Sequence, residues 1–337
     1  MITKTTLQPT PFQQKDLIAA LCVVFIWGTN FVAMKVGLKD FTPFQLGAAR
    51  YTLAVLPLIL FVRPPKLHWK WVVLFGLFQG VGQFGLLFVA LRVGMTAALA
   101  SVLLQTQVFF TALFGVVLLR ERIGRPLQIG LMLAGLGITC FVLNYVLPGA
   151  PSAGAGSVAG SVASAAGATL PAPAASSLLG FVLCLAAASM WAASNIVVRS
   201  AQRSSPGFEV LSFLVWSCAV PIVPFILLTL AFDPPATRWR WVDAPWSGWV
   251  AIAYLGWIAT IVGYAMWTGL LKRHAVNRVA PFSLGVPIVG LAAGILILHE
   301  VVTPWQWAGI TLLVAALVTV FIQPAAVVTF WKKLSRS

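Results

Sequence analysis

The sequence predicts an all-α integral membrane protein, with ten transmembrane helices arranged as two inverted five-helix repeats around a central cavity. Three observations lead there. Of the 337 residues, 60% are hydrophobic and only 9% charged, a balance that no soluble domain of this size sustains. Ten apolar stretches recur, each near the roughly 20 residues that a helix needs to span hydrocarbon. Five lie on either side of an uncharged Ala/Gly/Ser/Pro segment, and an odd number of crossings per half turns the second half upside down relative to the first. A β-barrel would need shorter strands that alternate polar with apolar residues, which these runs do not.

In chain order the spans are 17–38, 43–62, 71–91, 97–119, 127–146, 178–198, 208–232, 247–271, 276–298 and 304–323. The first is too long for the apolar region of a signal peptide and lacks a small-x-small cleavage site, so it reads as a retained helix. Pro64-Pro65 follows the second span, Pro126 opens the fifth, Pro206-Gly207 precedes the seventh and Pro234-Pro235 follows it. Gly76, Gly80, Gly82 and Gly85 in the third span permit close helix approach, which serves either relative motion or tight packing. Between the halves, 147–177 carries no charge and no aromatic residue. Pro148, Pro151, Pro171 and Pro173 among many Ser and Gly predict a flexible external linker rather than an eleventh span. The organisation is therefore 1–146 as the first repeat, 147–177 as linker, 178–323 as the second repeat and 324–337 as a basic cytoplasmic tail.

The net charge of +15 would suggest nucleic acid in a soluble protein, but here the cations sit in short loops, where orientation in the membrane explains them. With the N-terminus inside, sixteen Lys and Arg fall on the cytoplasmic flanks. Only Lys35, Lys39, Arg92, Arg238 and Arg240 fall outside, and Arg50 lies within a span. Both termini are accordingly expected in the cytoplasm.

A weak internal repeat matches this topology. LLRERIGRPLQIGLML in the first half resembles LILHEVVTPWQWAGITLL in the second, and a shift of 179 residues pairs Glu121 with Glu300 and Gly130 with Gly309. Trp27-Gly-Thr-Asn30 is echoed, with one extra residue, by Trp191-Ala-Ala-Ser-Asn195. With five crossings per half, Glu121 is expected inside and Glu300 outside. Similar segments on opposite faces are the ground plan of many secondary transporters.

Polar side chains inside apolar spans face the bundle or a wet cavity, because an unpaired one in hydrocarbon is costly. Trp27 and Asn30 share a helical face, as do Gln79 and Gln83. Gln105 and Gln107 are two apart, so only one of them is expected to point straight at a cavity. Trp191 and Asn195 repeat the first-span pattern in the sixth. Two readings stand for each amide: a hydrogen bond between helices, stabilising by about 0.6–2 kcal/mol, or a cavity wall. Amides suit a zwitterionic ligand, since they offer donor and acceptor without the cost of a buried charge. In the eighth span Tyr254, Trp257, Ile261 and Tyr264 form a stripe. Packing or lipid contact is the reading for Trp257, whereas the deeper Tyr264 hydroxyl needs a partner and is a cavity candidate, as is Tyr254. Pro281, Ser283 and Pro287 interrupt bonding in the ninth span, either freeing carbonyls for a site or kinking the helix. For Arg50, snorkelling to the outer surface stands against a cavity or carboxylate-binding role.

The chain carries seven acids, Asp16, Asp40, Glu121, Glu209, Asp233, Asp243 and Glu300, all at span ends or in loops. Ion-driven carriers commonly hold a carboxylate at mid-membrane, so export down a gradient, or weakly coupled exchange, is expected. Glu121 and Glu300 stand between a coupling role and hydrogen bonding at helix joins. No P-loop, HExxH motif or paired mid-span Asp is present, so no enzyme, metal or cofactor is expected. His68, His274 and His299 are isolated in sequence and near interfaces. Cys22, Cys140, Cys184 and Cys218 lie in apolar spans without the spacing of a disulfide framework or metal knuckle. A passive pore remains the rival to a carrier.

The segments WGTNFVAMKVGL (27–38), ALASVLLQTQVFFTALFG (98–115), ASMWAASNIVVR (188–199), YLGWIATIVGYAMWTGLLKR (254–273) and VAPFSLGVPIVGLAA (279–293) carry a resemblance. Together with the Glu121 and Glu300 joins, they resemble the EamA group of the drug/metabolite transporter superfamily, nearest its O-acetylserine/cysteine exporters. The resemblance spans the chain except the linker, which is longer than the family pattern. It implies ten helices around a cavity, a bacterial inner-membrane location and alternating-access export of small amino-acid metabolites, other amino acids, purines or drugs being the alternatives. It also implies weight for Arg50 and a cavity-facing Ser283. The substrate site is thus expected at Trp27, Asn30, Gln79, Gln83, Gln105, Trp191, Asn195, Tyr264 and Ser283, with Arg50, Glu121 and Glu300 as gating or structural residues. The expected partners are a small-molecule substrate and the lipid bilayer, with no nucleic acid and no obligate protein partner.

Overall fold

The computed structural model describes residues 13–56, 58–119, 124–146, 173–205, 207–274 and 276–321. Among them all regular structure is helical, and eight helices are long and apolar enough to cross a membrane. In chain order the main helices are α1 (Gln14–Asp40), α2 (Pro43–Val55), α3 (Trp69–Arg92), α4 (97–119), α5 (Arg125–Val146), α6 (Pro173–Ser204), α7 (Val210–Phe232), α8 (246–273), α9 (276–298) and α10 (Pro304–Phe321).

Local chemistry sets several boundaries. Thr42 caps α2 through a reciprocal pair with Gln45, and Pro43 occupies the first turn, where its missing N–H costs nothing. The helix ends at Val55, short of the expected 62, because Leu56 precedes Pro57 and is forced extended. Thirteen helical residues rise about 20 Å, less than the roughly 30 Å of hydrocarbon. α10, at the length limit, is the other element outside the eight. α6 starts at Pro173, inside the stretch expected as linker; proline at a first helical position is again the physical reason. Residues 147–172, Glu121 and the 324–337 tail lie outside the described residues.

Packing pairs the elements in a regular way. α1 packs on α8 and α9, α6 on α3 and α4, α2 on α7 and α8, α7 on α3, α4 on α9 and α5 on α10. Each of these contacts maps onto another, or onto itself, when an element is exchanged for the one five places along, whereas α2 on α3 has no such counterpart. Backbone irregularities follow the same exchange. π-helical turns occupy Gly76–Gly85 in α3 and Tyr254–Val262 in α8, and 3-10 turns occupy Leu104–Thr106 in α4 and Ala280–Leu284 in α9.

Small residues let these helices meet. A Cβ on Gly80 would lie 2.0 Å from the Pro221 ring, where α7 breaks between Ala219 and Ile222. At the α5–α10 crossing, Gly137 and Gly309 each face the other's carbonyl, and a Cβ on either would stand 3.0 Å from it. Phe88, Phe141 and Phe225 are fully buried in the interior. The outer face is apolar instead: Phe25 is 62% exposed, Val117 67% and Leu296 72%. In water such a surface would aggregate; against lipid it is matched. Trp239 and Trp241, between α7 and α8, and Trp246, at the start of α8, are also exposed, as tryptophans at a bilayer interface are. All four cysteines are free.

Candidate functional site

Two cavities lie side by side in the interior. The central one, about 300 Å³, is walled by α1, α2, α3, α4, α6, α8 and α9. A second, about 210 Å³, lies between α2, α3, α7 and α8, and Arg50, Phe84 and Tyr264 line both. The structure brings eight of the nine expected site residues to the central cavity: Trp27, Asn30, Gln83, Gln105, Trp191, Asn195, Tyr264 and Ser283. The ninth, Gln79, lines the smaller cavity.

Trp27 forms one wall. Its Nε1 donates to the Ala259 carbonyl at 3.0 Å, inside the π-helical stretch of α8. Its ring tilts against Tyr264 and Trp267, with centroids 5.2 and 5.5 Å away. Gly263 makes room for the indole, because a Cβ there would meet Nε1 at 2.6 Å.

The amides divide between the roles open to them. Gln79 is committed to packing: its Nε2 donates to Gln83 Oε1, and its Oε1 accepts from Ser194 Oγ at 2.5 Å. This chain ties α3 to α6. Asn195 Nδ2 donates to Gln107 Oε1 at 2.9 Å and Thr111 Oγ1 at 3.1 Å, tying α6 to α4 at the cavity wall. Pro287 has no N–H for the carbonyl four residues earlier, that of Ser283, and Gln105 Nε2 donates to this carbonyl at 3.3 Å. The proline interruption of α9 is thus read by a glutamine of α4.

Two expectations need correction. Gln105 and Gln107 both line the central cavity, although their spacing in an α-helix would put them on nearly opposite sides. The 3-10 turn at Leu104–Thr106 overwinds the backbone and turns the pair towards one side. In the eighth-span stripe Tyr264 reaches the cavity and Trp257 faces outward as expected, and the correction falls on Tyr254. Trp257 is 46% exposed and donates to Leu53 O at 2.7 Å, whereas Tyr254 bonds Thr29 Oγ1 at 2.6 Å and lines neither cavity. The π-helical stretch between them changes the number of residues per turn, so a constant α-helical phase does not carry through.

Arg50 does not snorkel. It is 2% exposed, donates from Nη2 to Thr260 Oγ1 at 3.2 Å, and stands over the Phe84 ring at 3.8 Å. Glu300 closes a helix end. Its Oε1 and Oε2 accept the backbone N–H groups of Ala97 and Ala98, both at 2.8 Å. Thr96 Oγ1 takes Leu99 N, so the three N–H groups of Ala97, Ala98 and Leu99 that open α4 are satisfied. Glu300→Ala is expected to destabilise the folded protein by about 2 kcal/mol, because it strands two buried N–H groups. The check is the thermal midpoint in detergent; Glu300→Gln should fall between the two.

Sequence reasoning missed two contacts. Asp16 meets Arg273 Nη1 at 2.8 Å and His274 Nε2 at 2.9 Å, fastening the start of α1 to the end of α8. Thr42 Oγ1 donates to Asp233 Oδ2 at 2.5 Å, joining α2 to the end of α7. Burial pushes the Asp233 carboxyl up, against the lowering effect of the Thr42 bond and Arg238. Charged residues at span ends were a signal for both, but their pairing across more than 190 positions was not. Among the described residues no group of His, Cys, Asp or Glu could hold a metal.

Comparison with known proteins supplies what geometry alone does not. The EamA-like transporter family model matches residues 14–143 and again 178–322. A "Probable amino-acid metabolite efflux pump" of Salmonella typhimurium is 37% identical over 90% of this chain and 94% of its own length. One of Escherichia coli with the same description shows the same identity and coverage. An uncharacterized transporter of Bacillus subtilis is 23% identical over 86% of this chain and 90% of its own. A crystal structure of a protein 18% identical covers 91% of this chain and 96% of that one with a TM-score of 0.54, a likeness of fold alone.

Proposed function

The chain belongs to the EamA-like transporter family, and from that premise we propose that it exports small amino-acid metabolites of the cysteine and O-acetylserine kind by alternating access. It is a multi-pass membrane transporter, not an enzyme. The observation that carries the proposal is the central cavity. Both halves wall it, it presents amides, indoles and a phenol, and no Asp or Glu lines it. With the Arg50 guanidinium beside them, such groups suit a small zwitterion.

The two family matches, the paired element contacts and the paired π and 3-10 turns support two inverted five-helix halves, ten crossings in all. α2 would complete its crossing through the segment after Val55. On this reading both termini are cytoplasmic, the membrane is the bacterial inner membrane, and the halves rock about the cavity.

A substrate-panel efflux assay in proteoliposomes tests the cargo. Saturable efflux accelerated by counter-substrate marks a carrier, and ohmic conductance would mark a pore. Gln105→Ala should lower efflux of the preferred substrate several-fold, as the loss of one hydrogen bond does, while the folded yield holds. Wild-type efflux from that variant would remove Gln105 from the site. With no carboxylate lining the cavities, efflux should also persist when the proton gradient is collapsed and the substrate gradient kept.

A further inference from the structure

Two buried groups on the central cavity are left with open hydrogen-bonding atoms. Arg50 Nε and Nη1 meet no acceptor, and Asn30 Oδ1 meets no donor. Arg50 is 2% and Asn30 8% exposed. The Phe84 ring, 3.8 Å from the guanidinium carbon, and the Tyr51 ring, 5.8 Å away, soften the cost of burying the cation. They do not neutralise it, and no acidic residue lines either cavity. A buried charge without a counter-ion is costly, and polar atoms left open in an interior call for an explanation. The two open groups differ in kind: one is a permanent cation with N–H donors, the other an amide oxygen. An α-amino acid carries the converse pair, a carboxylate and an ammonium on one carbon. Arg50 also stands where the two cavities meet, so a molecule passing from one to the other passes its guanidinium.

We propose that Arg50 anchors the carboxylate of the cargo while Asn30 Oδ1 accepts from its ammonium, so that the cavity selects α-amino acids with a free carboxyl group. The assignment rests on the exporter reading above. Charge-assisted hydrogen bonds from the open N–H groups would replace the missing counter-ion, and the cargo would bring the one negative charge the chamber lacks.

The test compares reduced L-cysteine with its carboxamide, which keeps the ammonium and thiol but not the carboxylate, in counterflow through the full-length protein in liposomes. Wild-type protein should carry the acid about tenfold or more faster than the amide, and Arg50→Gln should lose about that factor for the acid alone. Arg50→Lys keeps the charge and should keep the preference at a lower rate. Asn30→Ala should weaken acid and amide alike. An unchanged acid-to-amide ratio in Arg50→Gln, or equal rates in the wild type, overturns the anchor and leaves the exporter standing. Wild-type protein that carries neither compound overturns both. If Arg50→Gln does not fold, unfolding of the wild type decides: the acid should raise the midpoint and the amide should not, and equal shifts overturn the assignment.

Discussion

Gly80→Val is expected to leave little folded protein. A Cβ at Gly80 would lie 2.0 Å from Cγ and 2.8 Å from Cβ of Pro221, and a proline ring has no rotamer by which to retreat. α3 and α7 would have to separate, and the neighbouring contacts of Gly76 with Ser217 O and Val220 would go with them. Overpacking of this kind costs about 3 kcal/mol or more, against a net stability of only about 5–15 kcal/mol for a typical domain. The readout is the monodisperse fraction after extraction and its thermal midpoint. Gly135→Ala is the control, because nothing lies within 4 Å of its added Cβ. It should be neutral, or stabilising by up to about 1 kcal/mol through helix propensity. A Gly80→Val protein as stable as the control would show that α3 and α7 do not meet as described.

Trp27→Ala should have the second large effect, on transport more than on yield. The indole holds the Ala259 carbonyl and packs at a tilt against Tyr264 and Trp267, so it fixes the α1–α8 wall of the central cavity. Removing it leaves a void and takes the indole N–H from that carbonyl, a loss of about 3 kcal/mol for a large, partly buried aromatic. Misplacing a cavity wall by an ångström can cost a further factor of about 100 in turnover. Efflux per folded molecule is expected to fall more than about tenfold, with Trp27→Phe intermediate because it keeps a ring without the N–H. Wild-type turnover in Trp27→Ala would mean that this wall does not touch the transport path.

Much of this site was legible from chemistry that hydrocarbon forbids. An Asn, Gln or Arg in an apolar run must turn inward, so naming Asn30, Gln83, Gln105 and Asn195 needed no knowledge of partners. Side choice was legible wherever the backbone stayed α-helical, as for Trp27 with Asn30. It failed where the winding changed. Gln107 joined Gln105 through a 3-10 turn, and the Tyr254–Tyr264 stripe broke across a π-helical stretch. Irregular winding follows from packing against other helices, which a single stretch of sequence does not record. Gln79 faces inward as expected, but Ser194 and Gln83 claim its amide. The Asp16–Arg273–His274 cluster shows the remaining gap, since residues at span ends reveal their charge but not which distant loop folds back to meet them.

The inverted arrangement of the halves underlies every functional reading, and side-specific labelling tests it most directly. Gly124 and Val301 adjoin the paired Glu121 and Glu300, both are exposed, and neither is engaged in the site. With the four native cysteines replaced, single cysteines at positions 124 and 301 can be probed with a membrane-impermeant thiol reagent in intact cells and in inside-out vesicles. Position 301 should react only in cells and position 124 only in inverted vesicles. Reaction of both from the same side would contradict two oppositely oriented halves, and the rocking carrier with them.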